Sequence, residues 1–226
     1  MRLIQLGAML LLSTTLYVAN AQTPKSAETS DPKAKTLLDK VRKQYDAYQS
    51  IEASFTLTLE LAEQKPEVQK GTIAQQGEKY RLELSDKTII CDGATVWFHN
   101  KRNREVQINT ATSGGTTGLL SPRELMRIHE RKDFIYAITS EGVENGKPCQ
   151  FVEFKPTNKG NEYSKLRLSV DKKTNQIIGV KAFGKDGSRY TMVINELTPN
   201  KTYPNGTFNF DKSKHPGVKI EDLRID

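Results

Sequence analysis

Apolar and polar positions alternate with a period of two along most of the chain. This alternation is typical of antiparallel strands that have one apolar and one solvated face. Turn signals such as Gln76-Gly77, Asp92-Gly93 and Asp186-Gly187 separate the alternating segments. Counting the segments between turn signals predicts about eleven strands in sequential hairpins. The clearest apolar sets are Phe55, Leu57, Leu59 and Leu61; Tyr80, Leu82 and Leu84; Leu166, Leu168 and Val170; and Tyr190, Met192 and Ile194.

Two segments have helical spacing instead. Asp31-Pro32 predicts a helix with Asp as N-cap and proline at the first helical position. Its apolar face over about four turns consists of Ala34, Leu37, Leu38, Val41, Tyr45 and Tyr48. The capping-box pattern in 121–124 predicts a second, short helix that ends near Arg131 and exposes Leu120, Leu125 and Met126 on one side. A Gly/Thr-rich stretch, 113–118, precedes this helix, so it is either a movable lid or an ordinary connector packed on the sheet.

The first residues predict export. Met1-Arg2 supplies a positive charge, an apolar run extends from Leu3 to Leu12, and Ala19-Asn20-Ala21 has the form of a signal-peptidase site. The run is too short to span a bilayer, and no other long apolar run exists in the sequence. We therefore expect a signal peptide, 1–21, cleaved after Ala21, a flexible leader, 22–30, and one domain, 31–226, that does not span a membrane.

The apolar content limits what the domain can bury. Only 36% of the residues are hydrophobic, and two short helices cannot cover the apolar face of a long sheet. Sheets of this length usually curl or close. The interior is then either filled by the protein's own side chains or left open for an apolar ligand.

The charge is basic but well mixed. There are 34 Lys and Arg against 27 Asp and Glu, a net charge of +7 and a pI near 9.3. Because the two signs are interleaved and no basic helix or aromatic-basic module occurs, the pattern is typical of a solvated surface and argues against nucleic-acid binding. Attraction to anionic lipid or to an acidic partner is a weaker alternative.

The sequence contains little material for catalysis or metal binding. It has neither a Gly-x-Ser-x-Gly elbow nor a P-loop nor an HExxH motif. His99, His129 and His215 fall in different predicted elements, so we expect no enzymatic activity, no cofactor and no metal. The two cysteines, Cys91 and Cys149, leave two alternatives open: a disulfide in an oxidising compartment, or two separate buried thiols.

Four motifs in order resemble the outer-membrane lipoprotein carrier protein (LolA) family. They lie in the segments 53–56 and 88–100, at Ser121-Pro122, and in the tail, where Phe208-Asn209-Phe210 is followed by 215–218. The resemblance covers about Lys33 to Asp222. It implies an unclosed antiparallel β-barrel, or half-barrel, with an N-terminal helix and a short helical lid over an apolar cavity.

The resemblance also implies a function. Such proteins are periplasmic chaperones that bind the acyl chains of lipoproteins and carry them from the inner to the outer membrane. We therefore expect a monomer whose partners are acylated lipoproteins, an inner-membrane release complex and an outer-membrane acceptor. The alternative is a periplasmic lipid- or lipoprotein-binding sensor or regulator on the same fold. The expected acyl-chain-binding residues are Phe55, Leu57, Leu59, Tyr80, Leu82, Leu84, Leu166, Leu168, Tyr190 and Met192, and the expected lid residues are Leu120, Leu125 and Met126.

The sequence departs from the family pattern at one point that concerns the lid. In the family, a basic residue near the end of an inner strand, followed by proline, bonds to the lid and favours its closed position. The matching stretch here, 74–77, contains neither a basic residue nor proline. Arg81 is nearby, but the alternation places it on the opposite face from Tyr80. A bond from Gln75 or Gln76 would be weaker than one from a charged group.

Overall fold

A single sheet of twelve strands dominates the chain. The structure is a computed structural model and describes residues 29–111 and 122–224. The helices are α1 (Pro32–Asp46) and α2 (Pro122–Met126), and the strands are β1 (Ile51–Glu60), β2 (Glu67–Gln76), β3 (Lys79–Glu83), β4 (Lys87–Cys91), β5 (Thr95–Asn100), β6 (Glu105–Thr110), β7 (Phe134–Glu144), β8 (Lys147–Pro156), β9 (Tyr163–Asp171), β10 (Ile177–Gly184), β11 (Arg189–Pro199) and β12 (Lys219–Asp222).

The strand order is β12-β6-β5-β4-β3-β2-β1-β11-β10-β9-β8-β7. The strands β1 and β11 pair at its centre and join two antiparallel meanders, β1–β6 and β7–β11. The two ends, β12 and β7, lie at opposite edges of the order, which confirms the expected unclosed half-barrel. One strand more than expected is present within the described ranges, and β12 pairs with β6 in parallel rather than in a hairpin.

The first helix forms as predicted. The Asp31 side chain accepts a hydrogen bond from the Lys33 backbone N–H at 2.8 Å, which satisfies one free donor of the first turn. One face of the helix, including Leu38, Val41 and Tyr45, is buried. The Ile177 N–H donates to the Tyr45 hydroxyl at 3.2 Å. Since Ile177 begins β10, this bond attaches the end of α1 to the sheet.

The helix α1 defines the inner face of the sheet, the face on which it packs. Its buried side chains form the main core with apolar residues of β7 to β10, among them Tyr136, Phe154 and Leu168. A second cluster of buried residues, Ile89, Cys91 and Val96, lies on the other meander, together with the partly buried Tyr80, Leu82, Phe98 and Ala111. The strands β1 and β11 lie between the two clusters.

The second helix is shorter than predicted. It ends at Met126 and is followed by a 3₁₀ turn, Ile128–Glu130. Ile128 is completely buried in the main core, and it anchors this turn. Leu120, the Gly/Thr-rich stretch 113–118, the predicted signal peptide and most of the predicted leader lie outside the described residues. Neither helix in the described ranges is long and apolar enough to cross a membrane.

Candidate functional site

Four half-buried apolar side chains occupy the middle of the inner face. In the register of β1 with β11, Leu57 lies opposite Met192 and Leu59 lies opposite Tyr190. All four are only partly covered, whereas Phe55, which precedes them on β1, is completely buried. We call Leu57, Leu59, Tyr190 and Met192 the central strip. It is the part of the predicted acyl-chain site that the structure brings together and leaves accessible.

The other predicted site residues lie on either side of this strip. Tyr80 and Leu82 are half-buried beside the second cluster, and Leu84 is buried. Leu166 and Leu168 lie in the main core with the buried face of α1 and are 5% and 1% exposed. Their burial gives these two leucines a packing role, and a contact with acyl chains remains a prediction for them.

The register adds three inner-face residues that the sequence analysis did not select. Leu82 on β3 pairs with Ile73 on β2 at one side and with Ile89 on β4 at the other. Ile89 in turn pairs with Phe98 on β5. The alternation of apolar and polar residues along β2 is a signal that could have identified Ile73 as an inner-face residue. Alternation could not point to Ile89 and Phe98, because their strands also carry apolar residues on the outer face, Ile90 and Trp97.

Polar side chains border the central strip on β2. Gln69 lies opposite Leu57, and Glu67 lies opposite Leu59. The Gln69 side-chain N–H donates to the Glu67 carboxylate at 2.7 Å. The inner face is therefore apolar along β1 and β11 and polar on the adjoining part of β2.

The helix α2 is attached to its surroundings by both apolar and charged contacts. Leu125 and Met126, the described residues of the predicted lid, pack against the main core and are half-buried. The Arg127 guanidinium donates to both oxygens of Asp46, at 2.8 and 2.9 Å, and these hydrogen bonds to the carboxylate raise the pKa of Arg127. Nε of Arg123 lies 3.1 Å from Oε1 of Glu78, in the β2–β3 turn.

Neither Gln75 nor Gln76 supplies the contact between the end of β2 and the helix α2. Gln75 is buried, and its side-chain N–H donates to the carbonyl of Gly77 at 3.2 Å, within its own turn. The charged contact between turn and helix comes from Glu78 and Arg123 instead. Arg81 lies on the outer face, as the alternation predicts, and lines a cavity there.

A small cavity lies where α1, α2, β1 and β2 meet. Its volume is about 80 Å³, and Asp46, Gln75, Arg123 and Arg127 are among the residues that line it. This size and polarity suit a few water molecules better than an acyl chain. The larger apolar cavity implied by the family resemblance therefore remains a prediction.

The histidine His129 and the two cysteines are buried and have contacts typical of structural residues. Nε2 of the buried His129 lies 3.1 Å from Oδ1 of Asp39, so this histidine connects the 3₁₀ turn to α1. Cys91 and Cys149 are both buried and free, on strands that six others separate in the sheet. Within the described ranges, no group of three or more His, Cys, Asp and Glu side chains is placed to hold a metal ion.

Comparison with known proteins identifies the family. A family model described as outer membrane lipoprotein carrier protein LolA matches residues 46–211. The chain belongs to this family. The match includes β1 to β11 and α2, so it covers the central strip, the second cluster and the strand residues of the main core, whereas the buried residues of α1 precede it. The resemblance drawn from the sequence motifs is thus confirmed.

Individual relatives of this LolA family member are distant. An uncharacterized protein of Methanocaldococcus jannaschii is 22% identical over 183 residues, which are 80% of this chain and 52% of that protein. The chain thus spans about half the length of this curated relative. A crystal structure of an uncharacterized conserved protein from Thermus thermophilus has the same fold, with a TM-score of 0.52, 10% identity, and coverage of 84% of this chain and 99% of that one. A LolA superfamily protein from Nitrosomonas europaea gives a TM-score of 0.42 at 10% identity, with coverage of 78% and 97%.

Proposed function

We propose that this protein is a periplasmic chaperone that binds the acyl chains of lipoproteins on its inner face and carries them from the inner to the outer membrane. Cleavage after Ala21 would release it into the periplasm. An inner-membrane release complex would load it, and an outer-membrane acceptor would unload it. Membership of the LolA family supports the proposal, and the observation that carries it is the partly uncovered central strip.

Binding to the central strip would remove the methylene groups of an acyl chain from water. Each methylene removed from water contributes about 0.8 kcal/mol, and the contact needs no directional bonds. Met192 adds a flexible, polarisable side chain that adapts to irregular apolar surfaces. A chain lying between Leu57 and Tyr190 would contact both β1 and β11. The strip would thus be the centre of the binding surface.

A carrier must also release its cargo. Exposed ion pairs such as Arg123–Glu78, with 39% and 66% of the two side chains exposed, contribute only about 0–1 kcal/mol. The contact between α2 and the β2–β3 turn can therefore open at little cost. A weak contact between this turn and α2 suits a protein that passes cargo to an acceptor.

Analysis of co-purified lipid tests the binding. The full chain is produced in a bacterial host, purified from the periplasm and extracted with organic solvent for mass spectrometry of acylated material. Leu59→Glu places a carboxylate in the strip, and we expect it to reduce the bound acyl material about tenfold or more, because burying the charge against hydrocarbon is unfavourable.

Thr58→Glu is the matched control. Thr58 precedes Leu59 on β1 and lies on the opposite face, so this variant has the same added charge outside the strip and should keep its cargo. Both variants are first compared with wild type by thermal unfolding. Equal cargo in Leu59→Glu and wild type would show that the strip does not bind acyl chains.

A depletion experiment tests the transport step. If the protein is a carrier, its loss should leave outer-membrane lipoproteins at the inner membrane, as measured by fractionation. If lipoproteins reach the outer membrane normally although the protein binds acyl chains, the carrier function is wrong and the sensor alternative is favoured.

A further inference from the structure

The outer face of the sheet carries a second cavity that the proposed function does not use. It has a volume of about 280 Å³ and lies between strands β3 to β5 and the segment 206–215, which precedes β12. This volume is close to the lower end of the range for small-molecule sites, about 300 Å³. Its lining includes Arg81, His99, Lys101, Phe210, Lys214 and His215.

The cavity is lined by a largely buried imidazole, His99. His99 is 6% exposed, and it makes ring contacts with His215, at a centroid distance of 4.6 Å, and with Phe210, at 5.6 Å. Neither ring nitrogen of His99 has a hydrogen bond to any residue in the described parts of the chain. Neither nitrogen is among the fully buried polar atoms of the described residues, so both remain accessible to solvent or to a ligand in the cavity.

The charged groups around His99 are mainly basic. Three permanent cations, Arg81, Lys101 and Lys214, face two carboxylates, Glu83 and Asp211. Glu83 is engaged by Nε of Arg81 at 2.6 Å, and Asp211 lies 3.5 Å from Nζ of Lys214. Nζ of Lys101 donates to the Leu84 carbonyl at 2.7 Å and retains further N–H groups for other acceptors.

The basic surroundings act on His99 itself. Burial, followed by His215, Lys101 and Arg81, lowers the pKa of His99. An anion in the cavity would oppose the effect of the neighbouring cations and favour the protonated imidazole, which donates from both nitrogens. The site would therefore bind an anion more tightly when His99 is protonated.

We propose that this outer cavity binds a phosphate group, carried either by a small molecule or by a lipid headgroup. Arg, Lys and protonated His donate the charge-assisted hydrogen bonds that phosphate oxygens accept best. The Thr88 hydroxyl on the cavity wall is a further donor. The volume leaves room for part of the molecule that carries the phosphate, next to the Phe210 ring.

The fold holds the two walls of the cavity together independently of any ligand. The Tyr203 hydroxyl donates to the carbonyl of Ile51 at 2.8 Å, and Phe208, which packs edge-on against Tyr203, is 6% exposed. After the cavity, β12 pairs with β6. The segment that forms the outer wall is therefore fixed at both ends, so the site exists before binding.

NMR titration of the histidine side chains tests the proposal on the full chain without a mutation. The probes are inorganic phosphate and glycerol 3-phosphate, each at constant ionic strength against chloride, and vesicles of dioleoyl-phosphatidylglycerol. We expect phosphate to shift the His99 resonances in a saturable way and to raise the His99 pKa by about one pH unit. No saturable change at His99 with any of the three probes would overturn the proposal.

Variants separate this site from general attraction to a basic protein. Lys101→Gln and Lys214→Gln should each weaken phosphate binding about threefold, as expected for exposed cations. Lys155→Gln removes the same charge from an exposed position on β8 and should leave the affinity unchanged. Equal weakening by all three variants would show nonspecific ion binding and would also overturn the proposal.

The probes then distinguish the two sources of the phosphate. Saturation of His99 by glycerol 3-phosphate but not by vesicles indicates a soluble ligand. Vesicle binding that depends on Lys101 and Lys214 indicates a lipid headgroup. The outcome is independent of the acyl-carrier proposal, because Leu59→Glu changes the inner face and should leave the His99 titration unaltered.

Discussion

Nε of Arg123 on α2 and Oε1 of Glu78 in the β2–β3 turn lie 3.1 Å apart. This ion pair joins the short helix to one of the hairpins that form the inner face. The family pattern that the resemblance implies has the basic residue at the strand end, whereas here the basic residue, Arg123, lies on the helix. The contact between turn and helix is therefore ionic, although the stretch 74–77 lacks the basic residue.

The ion pair should couple the helix weakly to the turn. A double-mutant cycle with Arg123→Gln and Glu78→Gln is expected to give a coupling free energy of about 0.2–1 kcal/mol at low salt, since both side chains are more than a third exposed. Screening should reduce it further at high ionic strength. Chemical unfolding of the four proteins measures the coupling, and hydrogen exchange in 122–126 shows whether α2 opens more often in the single variants.

The charge-reversal pair Arg123→Glu with Glu78→Arg is the control. It should return the exchange rate of α2 toward the wild-type value, whereas Arg123→Glu alone should raise it. If the single reversal leaves exchange in α2 unchanged, the helix is held by Leu125, Met126 and the Arg127–Asp46 pair and not by the Arg123–Glu78 pair.

Leu168 should contribute mainly to stability, and Met192 mainly to the binding of acyl chains. Leu168→Ala removes a side chain that is 1% exposed in the main core, and the resulting cavity should lower the free energy of unfolding by about 2–5 kcal/mol. Met192→Ala, at a half-buried position, should cost less stability but reduce the acyl material that co-purifies. Chemical unfolding and mass spectrometry of extracted lipid measure the two effects. The opposite assignment, with Met192→Ala the more destabilising variant, would place the core at β11.

The sequence predicts the strands well where one face of the strand is exposed to solvent. The period-two segments at Phe55, Tyr80, Leu166 and Tyr190 are strands, and the N-cap at Asp31 begins a helix. The prediction is less complete where strands are apolar on both faces, as at Ile89 and Phe98. It also misses the pairing of β12 with β6, because Lys219–Asp222 contains one apolar residue and its partner is distant in the chain.

Contacts between distant segments limit what could be predicted of the sites. The central strip follows from alternation together with the β1–β11 register, and only alternation is visible in the sequence. The sequence assigns His99 and His215 to different elements, as the structure has them, but the crossing of the outer face by 206–215 brings their rings together. Likewise, the contact of Arg123 with Glu78 depends on where α2 meets the turn.

Alkaline pH should destabilise the fold through Tyr45. Burial raises the pKa of Tyr45 to about 12, whereas a tyrosine in the unfolded chain titrates near 10. The fold therefore favours the neutral phenol, and this contribution is fully present below about pH 10 and is lost as the pH rises from about 10 to 12. The loss is on the order of 2 to 3 kcal/mol.

Tyr45→Phe isolates this contribution. The variant loses the bond from the Ile177 N–H and should be less stable at neutral pH, but its stability should fall less steeply between pH 10 and 12. Chemical unfolding at several pH values measures both slopes. Tyr80 and Tyr203, whose pKa values burial also raises to about 12, remain in the variant. A residual slope is therefore expected, whereas an unchanged slope would contradict the assignment to Tyr45.

Cys91 and Cys149 should be found as two unreactive thiols. Burial raises the pKa of both cysteines, so little of the reactive thiolate forms at neutral pH. Their strands, β4 and β8, belong to different meanders with six strands between them, and a disulfide requires a Cα separation below about 7 Å. Mass spectrometry of the unreduced protein after maleimide treatment should show slow labelling in the native state and two labels per chain in denaturant. A protein that takes up no label in denaturant until it is reduced would instead contain the Cys91–Cys149 disulfide, and the two meanders would then have to meet.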